Sequence, residues 1–218
     1  MPDADTKVDK RAPLIFGISG HRDLVESDLP ELRRQLDAVF ASFCAAHPGH
    51  RFELLSPLAE GADRLAAEVA LARGITLRVP MPMAQGEYEK DFPDRKSLEE
   101  FRRLLNAAEA SWQVRTDGLP AGEVLRDRQY AAVGDYIARS SHVLVLLWDG
   151  EQNDKLGGTG WVKMRRDFWL EQPDTAGSKP ASPGYVETIH IVTPREISLQ
   201  SGEEPPPIEI IGQLPKAQ

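Results

Sequence analysis

The sequence predicts an α/β protein built on a three-layer, doubly wound, mainly parallel sheet of about six strands. Three observations carry that expectation. Strand-like and helix-like patterns alternate about five times along the chain, with no internal repeat. The most apolar stretch, HVLVLLWDG at 142–150, runs without polar alternation, which suits a central parallel strand covered on both faces. Three glycine-bearing loops follow strand-like runs, where a doubly wound sheet places its ligands.

Taken in order, the first strand is expected at 14–19, after a polar arm at 1–12 read as flexible. A helix over 29–46 carries Leu29, Leu32, Leu36, Val39, Phe40 and Phe43 on one face at the 3.6-residue period. A second strand at 52–58 leads through EGAD into an alanine-rich helix, with Gly74 as its stop. The third strand, 76–79, breaks at PMPM. A helix over 97–110 turns Leu98, Phe101, Leu104, Leu105 and Ala108 inward, and a short strand follows at 112–115. A helix over 126–139 precedes the strand at 142–150, and a helix over 161–170 and a strand over 186–192 complete the pattern. QPDTAGSKPASPG, 172–184, has the composition of a surface loop. The prolines of the last segment resist helix and central strand. Within it, IEII either joins a sheet edge, joins a partner, or stays disordered. The organisation is one domain over 13–196, an arm over 1–12 and a proline-rich tail over 197–218.

With 218 residues, 41% hydrophobic and 28% charged, the composition is that of a globular protein. The net charge of −8 argues against a dedicated nucleic-acid binder, so no nucleic acid is expected among the partners. A small anion can still bind through backbone amides and a few placed arginines. No apolar run approaches the roughly 20 residues of a membrane span. The N-terminus, MPDADTKVDKRAP, lacks a signal-peptide core, so a cytoplasmic location without a membrane partner is expected. The single cysteine, Cys44, excludes an internal disulfide and reads as a buried apolar residue rather than a reactive thiol. His21, His47, His50, His142 and His190 show no metal-ligand spacing, so no metal is expected. No G-x-S-x-G elbow is present.

The first loop is GISGHRD. Gly17 and Gly20 let the backbone turn tightly, Ser19 offers a hydroxyl, and His21 and Arg22 add polar and positive groups. Neither the P-loop spacing nor the third glycine of GxGxxG is there, and a tight turn without a ligand is the equal alternative. In the second loop, EGAD, Gly61 makes the turn and Glu60 can grip a ribose hydroxyl. Asp63 serves there either as a helix cap or as a ligand contact. The third loop is Gly157-Gly158-Thr159-Gly160, where three glycines are entropically costly unless backbone must approach something closely. Trp161 beside it stacks on a base or belongs to the core. Tyr88, Glu89, Asp91 and Phe92 in GEYEKDF either fold over a pocket or form an ordinary loop anchored by two aromatics.

Together GISGHRD, AEGAD and GGTG resemble the SLOG superfamily, which includes the LOG-type phosphoribohydrolases and DprA-like proteins, over 14–170. VPMPM and EYEKDF resemble its bacterial nucleotide-sensor subset. The resemblance implies a Rossmann-like fold and a nucleotide-derived ligand, such as NAD, ADP-ribose or a cyclic nucleotide, lying across the strand ends. It implies phosphates on Gly17, Ser19 and Gly20 and on Gly158, Thr159 and Gly160, with Glu60, Gly61 and Asp63 bordering the ribose. His21 and Arg22 are added from their chemistry as further ligand contacts. No cofactor is required, and analogy implies a homodimer or higher homo-oligomer, with an effector protein as a further partner. One departure matters. On the LOG motif PGGxGTxxE, Trp161 falls at the threonine and Met164 at the glutamate, and a thioether neither stabilises an oxocarbenium ion nor activates water. Three readings therefore stand: a nucleotide-binding sensor, an N-glycosidase using Glu60 or Asp63, and an interaction module with a vestigial pocket.

Overall fold

The computed structural model describes residues 12–92, 94–115, 123–151, 155–172, 186–196 and 206–215. Its strands are β1 (Leu14–Gly20), β2 (Phe52–Leu55), β3 (Thr76–Met81), β4 (Ala110–Gln113), β5 (Val143–Trp148), β6 (Glu187–Val192) and β7 (Ile210–Ile211). They form one sheet in the order β4-β3-β2-β1-β5-β6-β7. Strands β1 to β6 are mutually parallel, and β7 runs antiparallel to β6. The chain first builds outward from β1 through β2, β3 and β4. It then crosses back to lay β5 on the other flank of β1. The switch in strand order therefore falls between β1 and β5, and the fold is α/β and Rossmann-like.

Side-chain alternation sorts the helices into two layers. Leu14, Phe16 and Ile18 share a core with Val143, Val145 and Leu147, and this face is covered by α1 (Leu29–Ala46), α2 (Ala62–Ala72) and α4 (Arg95–Ala107). Phe16 anchors it, its ring 4.9 Å from Phe40 and 5.7 Å from Phe43. On the other face Leu144 and Leu146 meet Val133, Ile137 and Ala138 of α5 (Glu123–Ser140) and Val162 of α6 (Thr159–Glu171). Every residue of β5 is buried, as its unbroken apolar run requires. Gly17 belongs to the α5 face. A Cβ there would lie 2.7 Å from Ile137 and 2.9 Å from Ser141, so its bareness lets α5 cross directly over β1.

One feature differs from the sequence expectation, and two others fall on alternatives that the sequence left open. PMPM does not break β3, which continues through Pro80 opposite Trp112 of β4. Strand β2 ends at Leu55 opposite Arg78, so the missing N–H of Pro80 falls beyond that side of the ladder. GEYEKDF folds into α3 (Gln85–Tyr88) and a 3-10 turn at Glu89–Asp91, with Tyr88 and Phe92 in the core. IEII closes the sheet edge of its own chain, where Ile210 and Ile211 pair with Ile191 and His190. The segment beyond it is tied to α1 by the Ser42 hydroxyl, which donates to the Pro215 carbonyl at 2.8 Å. Cys44 is half-buried on α1, and burial pushes its thiol pKa up, toward the unreactive neutral form. No described helix is long and apolar enough to cross a membrane.

One side chain ties the α5–α6 layer to the sheet. Arg166 of α6 is 1% exposed, and its guanidinium donates to the carbonyls of Ala138, Ser141, His142 and Glu187 at 2.7, 2.7, 2.9 and 3.1 Å. It thereby gathers the end of α5, the approach to β5 and the start of β6. Burial pulls its pKa down to about 10, so it stays charged at neutral pH. Arg166→Leu strips donors from all four carbonyls and is expected to cost about 3–5 kcal/mol in urea unfolding. Arg166→Lys, which cannot fork to four acceptors, is expected to recover only part of that loss.

Candidate functional site

The switch point is shaped by close backbone contacts. His21 N–H donates to the Leu147 carbonyl at 3.0 Å, carrying the β1–β5 pairing one residue past Gly20. A Cβ on Gly20 would sit 2.4 Å from the Ala62 Cβ and 2.6 Å from the Leu147 carbonyl oxygen. The start of α2 therefore abuts β1 only because that position is bare. Gly61, at φ +77°, lies against the His21 and Arg22 carbonyls in a conformation that L side chains rarely adopt. The next residue, Ala62, donates its N–H to His21 at 2.9 Å. The first two glycine loops are thus fastened to each other, and His21 and Arg22 face the space above the strand ends.

That space is a cavity of about 310 Å³. Of the ligand contacts expected from sequence, Ser19, Gly20, His21, Arg22, Asp63, Gly158 and Thr159 line it, and so do Gly157 of the third loop and Tyr88 of GEYEKDF. The other four stand outside its wall. Gly17 faces α5, and Gly61 lies under the His21–Arg22 turn. Gly160 is buried in the first turn of α6, and the Glu60 carboxylate accepts from the Ser97 hydroxyl. Trp161 takes the core alternative, packing against the α5–α6 layer with Arg165 5.9 Å from its ring. Met164 is 51% exposed on α6 and is not part of the wall. Asp23, Asp127, Tyr130, Lys155 and Arg195 also line the cavity. Asp127 and Tyr130 are three residues apart on one face of α5, and Arg195 follows β6. Asp23 ends the GISGHRD loop, but no local motif marks Asp127, Tyr130 or Arg195, and only the strand order brings them to this edge.

The α6 end of the cavity is positive. Gly158 is the N-cap of α6, and among the described residues no side chain caps its first-turn amides. Arg22 lies 5.3 Å from the centre of the Tyr130 ring. Burial pulls the Arg22 pKa down, but the Tyr130 hydroxyl and the nearby Asp63 carboxyl outweigh it and leave the guanidinium above its usual value. Tyr130 in turn donates to Asp91, which also receives Arg126. Burial, then the bond to Asp91, pushes the Tyr130 phenol up to about 12. Arg195 pairs with Asp23 at 3.1 Å, and Glu196 N–H donates to the Asp23 carbonyl at 3.1 Å, folding the chain after β6 back onto the loop after β1.

Asp63 is 5% exposed, and one of its carboxylate oxygens accepts the Ala59 N–H at 3.2 Å. Burial raises its pKa to about 7, with Arg22, the Ala59 N–H and Arg64 holding it back only in part. Arg64 is spent elsewhere, on the Leu58 carbonyl, on Ser97 and on Glu100. His21 is lowered by burial, against the raising influence of Asp149. Its neutral Nε2 accepts the Asp149 N–H at 2.9 Å, and the Asp149 carboxylate 3.2 Å away becomes an ion-pair partner once the ring is protonated. Among the described residues no group of three His, Cys, Asp or Glu side chains could hold a metal.

No protein-family model and no curated protein matches the chain. Solved structures similar to it include DNA processing protein A from Streptococcus pneumoniae, at 12% identity and a TM-score of 0.44, covering 79% of this chain and 59% of that one. Another is DNA processing protein A from Helicobacter pylori, at 17% identity and a TM-score of 0.45, covering 81% of this chain and 72% of that one. Both are DprA proteins, the kind that the sequence motifs resemble, and this chain spans less than two thirds of the first. The Helicobacter protein is described by its single-stranded DNA binding mode. That finding overturns the exclusion of nucleic acid drawn from net charge. The physical reason is that a total of −8 says nothing of Arg22, Arg195 and a helix N-terminus converging on one cleft.

The Asp63 carboxyl makes a pH dependence testable. Its folded pKa lies above its ordinary value of 3.8, so the folded state binds the extra proton and stability falls as pH rises from about 4 to about 7. Asp63→Asn keeps an oxygen for the Ala59 N–H and removes the charge. The variant is expected to gain on the parent across that window, by up to roughly 4 kcal/mol, with no further gain above it. Urea unfolding at a series of pH values reads this directly, and a constant difference from pH 4 to 8 contradicts it.

Proposed function

We propose that the chain binds a nucleotide-derived anion across the β1–β5 switch point, as the ligand-binding part of a sensor. One observation carries this reading: the uncapped N-terminus of α6 opens onto a cavity that Arg22 and Arg195 also line. A phosphate there satisfies the first-turn amides of α6 and takes a charge-assisted bond from Arg22. Ser19 and the Gly20 backbone supply further contacts from the β1 loop. The cavity volume is at the lower end of small-ligand sites, which suits a mononucleotide or one half of a dinucleotide. Gly17, Gly61 and Gly160 shape the loops in this reading, and Glu60 braces α4 through Ser97.

A second reading, hydrolysis of an N-glycosidic bond, is favoured by the position of Asp63. A cavity carboxyl raised to about 7 can hold or give up a proton at neutral pH, whereas Glu60 is turned to Ser97. Water would add to the anomeric carbon while the base departs with a proton. Release of free base from AMP, lost in Asp63→Asn while AMP still binds, supports this reading. Absence of base release from every nucleotide tried removes it.

For the binding function, a thermal-shift panel of AMP, ADP-ribose, NAD, cyclic AMP and a single-stranded oligonucleotide is the test. A ligand at about 100 times its Kd stabilises by roughly 2.7 kcal/mol, or about 5–10 °C for a chain of this size. At least one nucleotide is expected to give such a shift, and Arg22→Ala is expected to weaken it about tenfold or more. Flat melting curves at millimolar concentrations of every compound defeat the proposal.

A further inference from the structure

Among the described residues the Tyr88 hydroxyl has no hydrogen-bond partner, although Tyr88 is fully buried and forms part of the cavity wall. Its ring is fixed in an aromatic cluster, 5.1 Å from Phe92, 5.5 Å from Phe101 and 6.2 Å from Tyr130. The polar end cannot retreat to bulk water. An unpaired buried hydroxyl is costly, and proteins nearly always supply it with a partner. Phenylalanine would fill the same space without that cost. Asp63 is an acid of the same wall, and its charge acts on the phenol. That carboxyl also lines the cavity, and among the described residues it makes no ion pair, with one backbone N–H as its hydrogen-bond donor.

Given phosphate binding at α6, the geometry points to Tyr88 and Asp63 as a subsite for a sugar hydroxyl, which makes the ligand a ribonucleotide. A hydroxyl serves both residues through a single atom, accepting from the phenol and donating to the carboxylate. A second phosphate is excluded there by the charge of Asp63. A base carbonyl alone leaves Asp63 unserved and a base amino group alone leaves Tyr88 unserved, and a base edge that offers both would show no loss with either deoxy analogue. The wall thus divides the ligand, with anionic oxygens toward Arg22 and the α6 amides and the neutral diol toward Tyr88 and Asp63. A site built around a hydroxyl rejects analogues lacking it, because the loss leaves its own buried groups unpaired.

The test compares AMP, 2′-deoxy-AMP, 3′-deoxy-AMP and inorganic pyrophosphate by titration calorimetry on the full chain and on Tyr88→Phe. The expected result is that one deoxy analogue binds the parent at least about tenfold more weakly than AMP. In Tyr88→Phe that preference shrinks to within about threefold while pyrophosphate binds both proteins alike. The unliganded variant is expected to melt at the same or a higher temperature, since the lost oxygen had no partner, whereas a hydroxyl with a structural role would lower it. Equal binding of AMP and both deoxy analogues overturns the subsite and leaves the phosphate reading intact. So does a ribose preference that survives in Tyr88→Phe. Failure of all four compounds to bind the parent overturns both.

Discussion

The guanidinium of Arg166 is the contact on which the rest of the site's geometry depends. Three segments that would otherwise end separately, the C-terminus of α5 and the entries to β5 and β6, turn their carbonyls onto it. Arg166 sits seven residues into α6, so about 10 Å of helix separates the anchor from the N-terminus. Fixing the helix at that point aims its first turn at the carboxyl edge of the sheet. The arrangement also explains a full positive charge in the α5–α6 layer. Four carbonyl dipoles replace its water, and the pKa drops only to about 10.

The same economy of close contact makes the chemistry of the cavity. Because Gly20 carries no side chain, Ala62 reaches β1, and α2 begins against the strand rather than beyond it. Asp63, the next residue, is carried out of solvent by that approach. Its raised pKa is therefore a consequence of backbone packing rather than of any special partner. Tyr88 is brought in by a different route, through the aromatic cluster under α4. Each sequence offered a pocket role as one of two alternatives, and only the fold sets the two residues on one wall.

The fold was legible because its signals are local and redundant. The β5 run, the apolar face of α1 and the strand–helix alternation each survive errors of a few residues at element ends. The three loops were legible as a set, because parallel topology sends every strand's carboxyl end to the same edge. What each glycine does there was not legible. Gly17, Gly20 and Gly61 clear space for Ile137, Ala62 and the His21–Arg22 backbone, neighbours that are remote in sequence or defined only by the fold. Arg195 and Tyr130 carried no signal for the same reason. IEII lay among prolines, and its strand character rests on β6 offering an open edge.

Net charge misled because electrostatics at a cleft is set within a few ångströms. Over the whole chain acids outnumber bases, yet many are paired at the surface, as Glu31 is with Arg34 and Asp37 with Arg73. At the switch point the balance differs. The wall sets Arg22, Lys155 and Arg195 against Asp23, Asp63 and Asp127, so the excess of acid is gone there, and with Arg195 paired to Asp23 it is Arg22 and the α6 N-terminus that an anion meets.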